Sequence, residues 1–283
     1  MRFVAALLFW LVTTVALAVA IPATWAQKNV VDPDGYAALA ASAAEDPRLQ
    51  EAMASELTTQ ARALISESGY DVGSGLVRGV ASAYTASAAF PGQFAQANRI
   101  AHRWVFTDSA QRAEGTDDQW VVDLAPMLAD TSLAQSLANF NVEVPDTLTV
   151  PVTVSNLEGL RPGQLELLSR WGPWVSIGAG ILAGIFALLT LATAPSRGKA
   201  LAALGVSALL VGAGGWAGLE LVRRYIDDAL NRTTGDIREV ADVMVSHAEA
   251  SLHQWLNLTL AAGGVLVVFG VIVAVLGGLR RRK

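Results

Sequence analysis

The chain has 283 residues, 53% of them hydrophobic and 16% charged, with a formal net charge of -5 and no cysteine. Without cysteine there are no disulfides and no thiolate zinc sites, so any folded part rests on its core, on packing and on partners. The segment Gln27–Gly172 carries eighteen acids against nine bases, which argues against nucleic acid or anionic lipid headgroups as partners for that face, because binding either needs a basic surface.

Four apolar stretches run Phe3–Ala20, Trp174–Ala194, Ala200–Leu219 and Trp255–Leu279. At 1.5 Å per residue each has about the length a helix needs to cross a hydrocarbon core ~30 Å thick. Arg2, the Arg197/Lys199 hairpin and the Arg280–Lys283 tail are basic and free of acid. Such a bias predicts a multi-pass plasma-membrane protein with both termini cytoplasmic and two loops outside.

The expected organisation is an N-terminal anchor over 1–26, an extracytoplasmic helical domain over 27–172 and a second span over 173–194. A cytoplasmic hairpin over 195–199 and a third span over 200–221 follow. An outer helical hairpin over 222–254, a fourth span over 255–279 and a basic tail over 280–283 complete the chain. The first stretch also fits a signal peptide, with cleavage after Ala20 or Ala26 as the alternative. Its length, its single Arg and the interfacial Trp25 favour a retained anchor.

The fold class expected is mainly α, with four transmembrane helices, a mostly helical outer domain and a small two-stranded ribbon. Asp32-Pro33 and Asp46-Pro47 each read as an N-cap followed by proline at the first helical position. The first helix places Tyr36, Leu39, Ala40 and Ala43 on one face. The second, from Pro47 to about Ser66, buries Leu49, Met53, Leu57, Ala61, Leu64 and Ile65. Gly69–Gly75 is a break, a third helix spans Leu76–Ala88, and Pro91 opens a fourth that buries Phe94, Ala97, Ile100 and Trp104.

Ala110–Asp118 reads as a polar connection. Gln119–Asp123 and Thr147–Val154 read as strands that flank a helix over Leu124–Phe140, with Pro151 suited to an edge. Pro162 starts a helix toward the second span, with a possible break at Gly172-Pro173. Beyond the turn Asn231–Gly235, Asp236–Gln254 is amphipathic. Ile237, Val240, Ala241, Met244, Ala248, Leu252 and Trp255 form its apolar stripe, expected to pack against the large loop.

Several runs carry a resemblance: Trp25 with Val31-Asp32-Pro33-Asp34-Gly35-Tyr36 and Ala43–Pro47, then Phe94–His102, then Val121–Pro126. They resemble a group of actinobacterial (mycobacterial-type) four-span integral membrane proteins with a helical extracytoplasmic domain. The resemblance implies architecture and a cell-envelope setting, and it carries over no activity and no functional residue.

The candidate residues each have a plain structural reading. His102 beside Asn98 and Arg99 could join Asp34 or Asp123 in a polar or metal cluster, but a hydrogen-bonded structural histidine is the expectation. Glu249 and His253 share a face at i, i+4, Asp242 lies about 10 Å earlier along it, and His247 points elsewhere. A solvated polar face is expected there. Gly180-x-x-x-Gly184 and Gly214-x-x-x-Gly218 read as close-packing patterns within the bundle or between copies. Glu220 is expected to pair with Arg223 and Arg224.

The spans hold no ionisable residue in their interiors, which weighs against a coupled transporter. Asp117 and Asp118 read as solvated charge, and no nucleophile elbow, zinc-protease motif, P-loop or dinucleotide fingerprint is present. The function expected is therefore a non-enzymatic scaffold or interaction module, with no catalytic residue, cofactor or metal. Its partners are the bilayer and a protein or a second copy. A lipid- or small-ligand-binding accessory of envelope lipid transport is the alternative, and a membrane sensor is a third reading.

Overall fold

The computed structural model describes residues 2–67, 74–106, 121–123, 149–151, 165–231 and 235–280. Among these the chain is mainly helical: α1 Arg2–Ala26, α2 Pro33–Ala43, α3 Pro47–Glu67, α4 Ser74–Thr85, α5 Phe90–Phe106, α6 Glu166–Thr193, α7 Arg197–Leu230 and α8 Asp236–Arg280. A π-helical turn, Gln27–Val31, follows α1. The chain divides into two compact units. One holds Met1–Val31, Leu167–Tyr225 and Glu249–Lys283; the other holds Asp32–Glu166 and Ile226–Ala248.

Four helical stretches are long and apolar enough to cross a membrane: Phe3–Val31, Leu167–Thr193, Arg197–Leu230 and Asp236–Gly277. In the first unit α7 and α8 approach through glycines spaced by seven, a spacing that returns to one helix face every two turns. A Cβ on Gly205 would lie 2.7 Å from the Gly263 carbonyl oxygen, and one on Gly263 would lie 2.9 Å from the Gly205 carbonyl oxygen. Gly198 and Gly270 face each other in the same way, and Gly212 takes the Leu260 side chain. The backbones touch because no side chain stands between them.

The two patterns singled out by four-residue spacing do something else. Cβ positions at Gly180, Gly184, Gly214 and Gly218 meet nothing within 4 Å, so these glycines pack against no helix of this chain among the described residues. The packing glycines repeat at seven rather than four because the seam runs along two long antiparallel helices, not across a short crossing.

Helix α1 docks by polar contacts as well as apolar ones. The Trp10 indole N–H donates to the Ala203 carbonyl at 2.8 Å, and the Thr14 and Ser207 hydroxyls meet at 2.8 Å. Phe9 and Phe186 bring α1 to α6, with ring centroids 5.7 Å apart. Hydrogen bonds between membrane helices contribute roughly 0.6 kcal/mol each on average, so these contacts fix register more than they hold the bundle together. No break occurs at Gly172-Pro173: α6 runs through both, as a membrane helix can when its neighbours support it.

In the second unit the two Asp-Pro signals act as read. Asp32 Oδ1 accepts from the Asp34 and Gly35 amides at 3.0 and 2.8 Å, with Pro33 opening α2. Asp46 Oδ1 accepts from the Arg48 amide at 2.9 Å and opens α3. Helix α2 packs on α5 and α3 on α4. The core gathers Ala40, Ala43, Ala44, Leu49, Tyr84, Phe90 and Phe94 together with Val243 from α8. Phe90 anchors it, edge-on to Tyr84 at 5.6 Å and tilted against Phe94 at 5.7 Å.

Val243 is fully buried, flanked by Val240 and Met244. Its place one position off the expected stripe shows that a neighbour's shape, not the helical period alone, chose the buried residue. Helix α4 spans Ser74–Thr85, earlier than the Leu76–Ala88 expected. It gives way to turns in which Ser87 bonds back to Tyr84 and Phe90 to Ser87. That turn puts Phe90 itself into α5. Val121–Asp123 pairs antiparallel with Thr149–Pro151 in the register Val122 to Val150. The rest of the two expected strands, the connection over 110–118, the helix over 124–140 and the start at Pro162 lie outside the described residues.

Two predictions follow from these contacts. Gly205→Leu or Gly263→Leu should destabilise the purified protein by about 1–3 kcal/mol through overpacking, while Gly180→Ala leaves thermal unfolding in detergent unchanged. Asp46→Ala should cost about 1 kcal/mol through the lost cap. The Arg48 amide, then the Arg48 guanidinium, hold the Asp46 carboxyl below its ordinary value of 3.8. The stabilisation it gives is therefore present above pH 3.8 and lost as pH falls through the lower folded-state value, which an acid titration of unfolding would read.

Candidate functional site at the tryptophan-lined end of the membrane unit

Side-chain chemistry in the first unit collects at one end. Trp25 donates its indole N–H to the Ser251 hydroxyl at 3.2 Å. Trp216 stacks on His253 with centroids 3.8 Å apart and planes 17° from parallel, and its N–H reaches Asn257 Oδ1 at 3.3 Å. Gln27 in the π-turn presses its carboxamide oxygen against Gly172, where a Cβ would overlap it; that oxygen is buried and has no hydrogen-bond partner among the described residues. These three contacts tie α1, α6, α7 and α8 at a common level. Trp171, Trp174 and Trp255 belong to that level by their positions in α6 and α8.

Just beyond it, Arg223 on α7 donates to Glu249 Oε2 on α8 at 2.7 Å, with the side chains 26% and 17% exposed. The other carboxylate oxygen of Glu249 is buried with no hydrogen-bond partner among the described residues. Glu249 and His253 are thus not the solvated pair expected from their spacing. Glu249 turns to Arg223 and His253 to Trp216, because α7 lies against the face that the isolated helix would show to water. The spacing argument for Glu220 named Arg223 as a partner on its own helix, while Glu249 holds it from the next.

His102 behaves as a structural group. It stacks on Phe106 at 4.2 Å and lies tilted against Tyr36 at 5.1 Å. Asp34, one candidate to join it, instead meets Arg99 at 2.8 Å. Burial raises the Tyr36 phenol above its ordinary value of 10.0. His247 Nδ1 lies 3.0 Å from the Val243 carbonyl oxygen, which can accept its N–H inside the same helix.

Asp242 lines a polar cleft of about 360 Å³ with Asp227, Leu230, Gly235, Arg238 and Glu239. Among the described residues no three His, Asp or Glu side chains are placed to hold a metal ion. Spacing along the chain places Trp174 and Trp255 at the starts of two separate spans and gives Trp216 no role, so the level they share shows only once the helices stand side by side. Their common position near one end of each span was the available signal. Compared with known protein families, with curated proteins and with solved structures, the chain matches none.

Two measurements check the site and its surroundings. Glu249→Gln and Arg223→Gln should each lower stability by about 1–3 kcal/mol, between the surface and buried limits for an ion pair. The double variant should lose less than the sum, a coupling that a double-mutant cycle on thermal unfolding reads directly. Because the Tyr36 value is raised, the second unit should keep its stability below pH 10 and lose it as pH climbs through the folded-state value. Tyr36→Phe should flatten that alkaline loss.

Proposed function

We propose that this chain is a non-enzymatic cell-envelope membrane protein whose helical domain, outside the cytoplasm, is an interaction or scaffold module carried by four spans. The observation that carries the reading is that Asp32–Glu166 and Ile226–Ala248 belong to one compact unit, with Val243 in the same core as Leu49 and Phe90. Two candidate spans, α6 and α7, separate those segments in sequence. Two crossings return the chain to the side it left, so a shared core requires both segments on one side of the bilayer. Basic Arg197 and Lys199 lie between those crossings, which supports placing the domain opposite them, outside the cytoplasm.

The domain's core is built from alanine faces and an aromatic cluster, which leaves its recognition to the polar helix surfaces. Self-association through α6 belongs to the same reading, since Gly180 and Gly184 have open space over them. The setting implied by the actinobacterial resemblance is part of the proposal too.

Single cysteines introduced at Ala86 and Lys199, both exposed, test the topology in a chain that has none of its own. A membrane-impermeant maleimide should label Ala86→Cys in intact cells and leave Lys199→Cys untouched until the membrane is opened; the reverse result sinks the orientation. In-membrane cross-linking followed by purification should recover a partner or a second copy. A lone monomer under several detergents would overturn the scaffold reading.

A further inference from the structure

The tryptophan level divides the first unit at a physically meaningful place. From Trp216 to Lys199 is about 26 Å along α7, and from Trp174 to Thr193 about 29 Å along α6, at 1.5 Å per residue. Both match a hydrocarbon core ~30 Å thick, with bases at the far end and aromatic rings at the near one. The near rings face outward: Trp174 is 73% exposed, Trp171 59% and Tyr225 72%. Leu167, Leu168, Leu221 and Val222 are exposed beside them.

Two guanidinium groups stand in this band. Arg170 on α6 and Arg224 on α7 are exposed, and neither makes an ion pair or hydrogen bond among the described residues. Their neighbour Arg223 is spent on Glu249, which makes Arg224 the outward member of the pair. Glu220 is the exposed acid one turn before Arg224. Arg170 starts about 6 Å beyond Trp174 and Arg224 about 12 Å beyond Trp216. A guanidinium on a three-carbon stem reaches back toward the interface while its stem covers apolar surface.

We propose that Arg170 and Arg224 hold the phosphate groups of anionic phospholipids, those with no cationic headgroup to compete, in the leaflet at the tryptophan end, with Trp171, Trp174 and Tyr225 seating the adjoining glycerol and upper acyl region. A phosphate oxygen accepts charge-assisted hydrogen bonds from guanidinium in forked geometry, and the neighbouring rings sit where amphipathic aromatics are most stable. The eighteen acids of Gln27–Gly172 all belong to the second unit, whereas Arg170 and Arg224 belong to the first. The inference rests on the membrane-spanning reading and goes beyond it by naming the residues and the lipid group they take.

The test uses the full chain in nanodiscs of phosphatidylcholine with phosphatidylglycerol. Spin-labelled phosphatidylglycerol should be preferred over labelled phosphatidylcholine by about threefold or more at low salt, falling to near parity in Arg170→Gln/Arg224→Gln. No preference in the unaltered protein, or one that survives the double substitution, overturns the proposal. In a second arm, nitroxides at the headgroup and at mid-chain quench the Trp174 emission obtained by difference from Trp174→Phe. Stronger quenching from the headgroup is expected. Stronger quenching from mid-chain overturns the placement while leaving the spans intact, and quenching by neither label removes the membrane-spanning reading itself.

Discussion

Backbone-to-backbone contact between α7 and α8 is the constraint on which the membrane unit depends. At Gly198, Gly205, Gly263 and Gly270 there is no room for even one carbon. In lipid there is little hydrophobic gain from bringing two apolar helices together, so close packing and dispersion must supply the attraction. Glycine maximises both by removing everything between the helical backbones. The larger residues are displaced to the rim, where Leu256 and Leu260 fill the space beside Gly212 and Gly215.

That seam also decides which polar groups can be tolerated. With α7 held against α8, Trp216 comes over His253 and Arg223 comes over Glu249, so charges that a lone helix would leave in water acquire partners. Helix α1 takes its register on α7 from hydrogen bonds. It meets α7 on a face carrying Ala203 and Ser207, small residues that bring a backbone carbonyl and a hydroxyl within reach of Trp10 and Thr14. Small side chains therefore serve twice, once as spacers removed and once as polar groups exposed to a neighbour.

The second unit follows ordinary aqueous rules. Helices α2 and α3 are capped by aspartates, the alanine-rich α2 face permits close approach, and aromatic residues fill the centre. Val243 is the element that a reader of the large segment alone would omit. It shows that this core is not a property of one continuous stretch, since two apolar helices intervene in sequence between its contributors.

The amino-acid sequence by itself determined the things that depend on local chemistry and on solvent. Helix length against bilayer thickness identified the four spans, Asp-Pro pairs located the starts of α2 and α3, and charge sorting set the expected orientation. Tertiary structure decided whatever depends on which face meets which neighbour. Glycines four apart were legible as a pattern, yet Gly180 and Gly184 meet nothing in the chain, while those seven apart form the seam. Glu249 and His253 were legible as a pair on one face, yet each answers to α7. Spacing along a helix reports only that residues share a face; what occupies that face is fixed by a second helix distant in sequence, and no local pattern encodes its register.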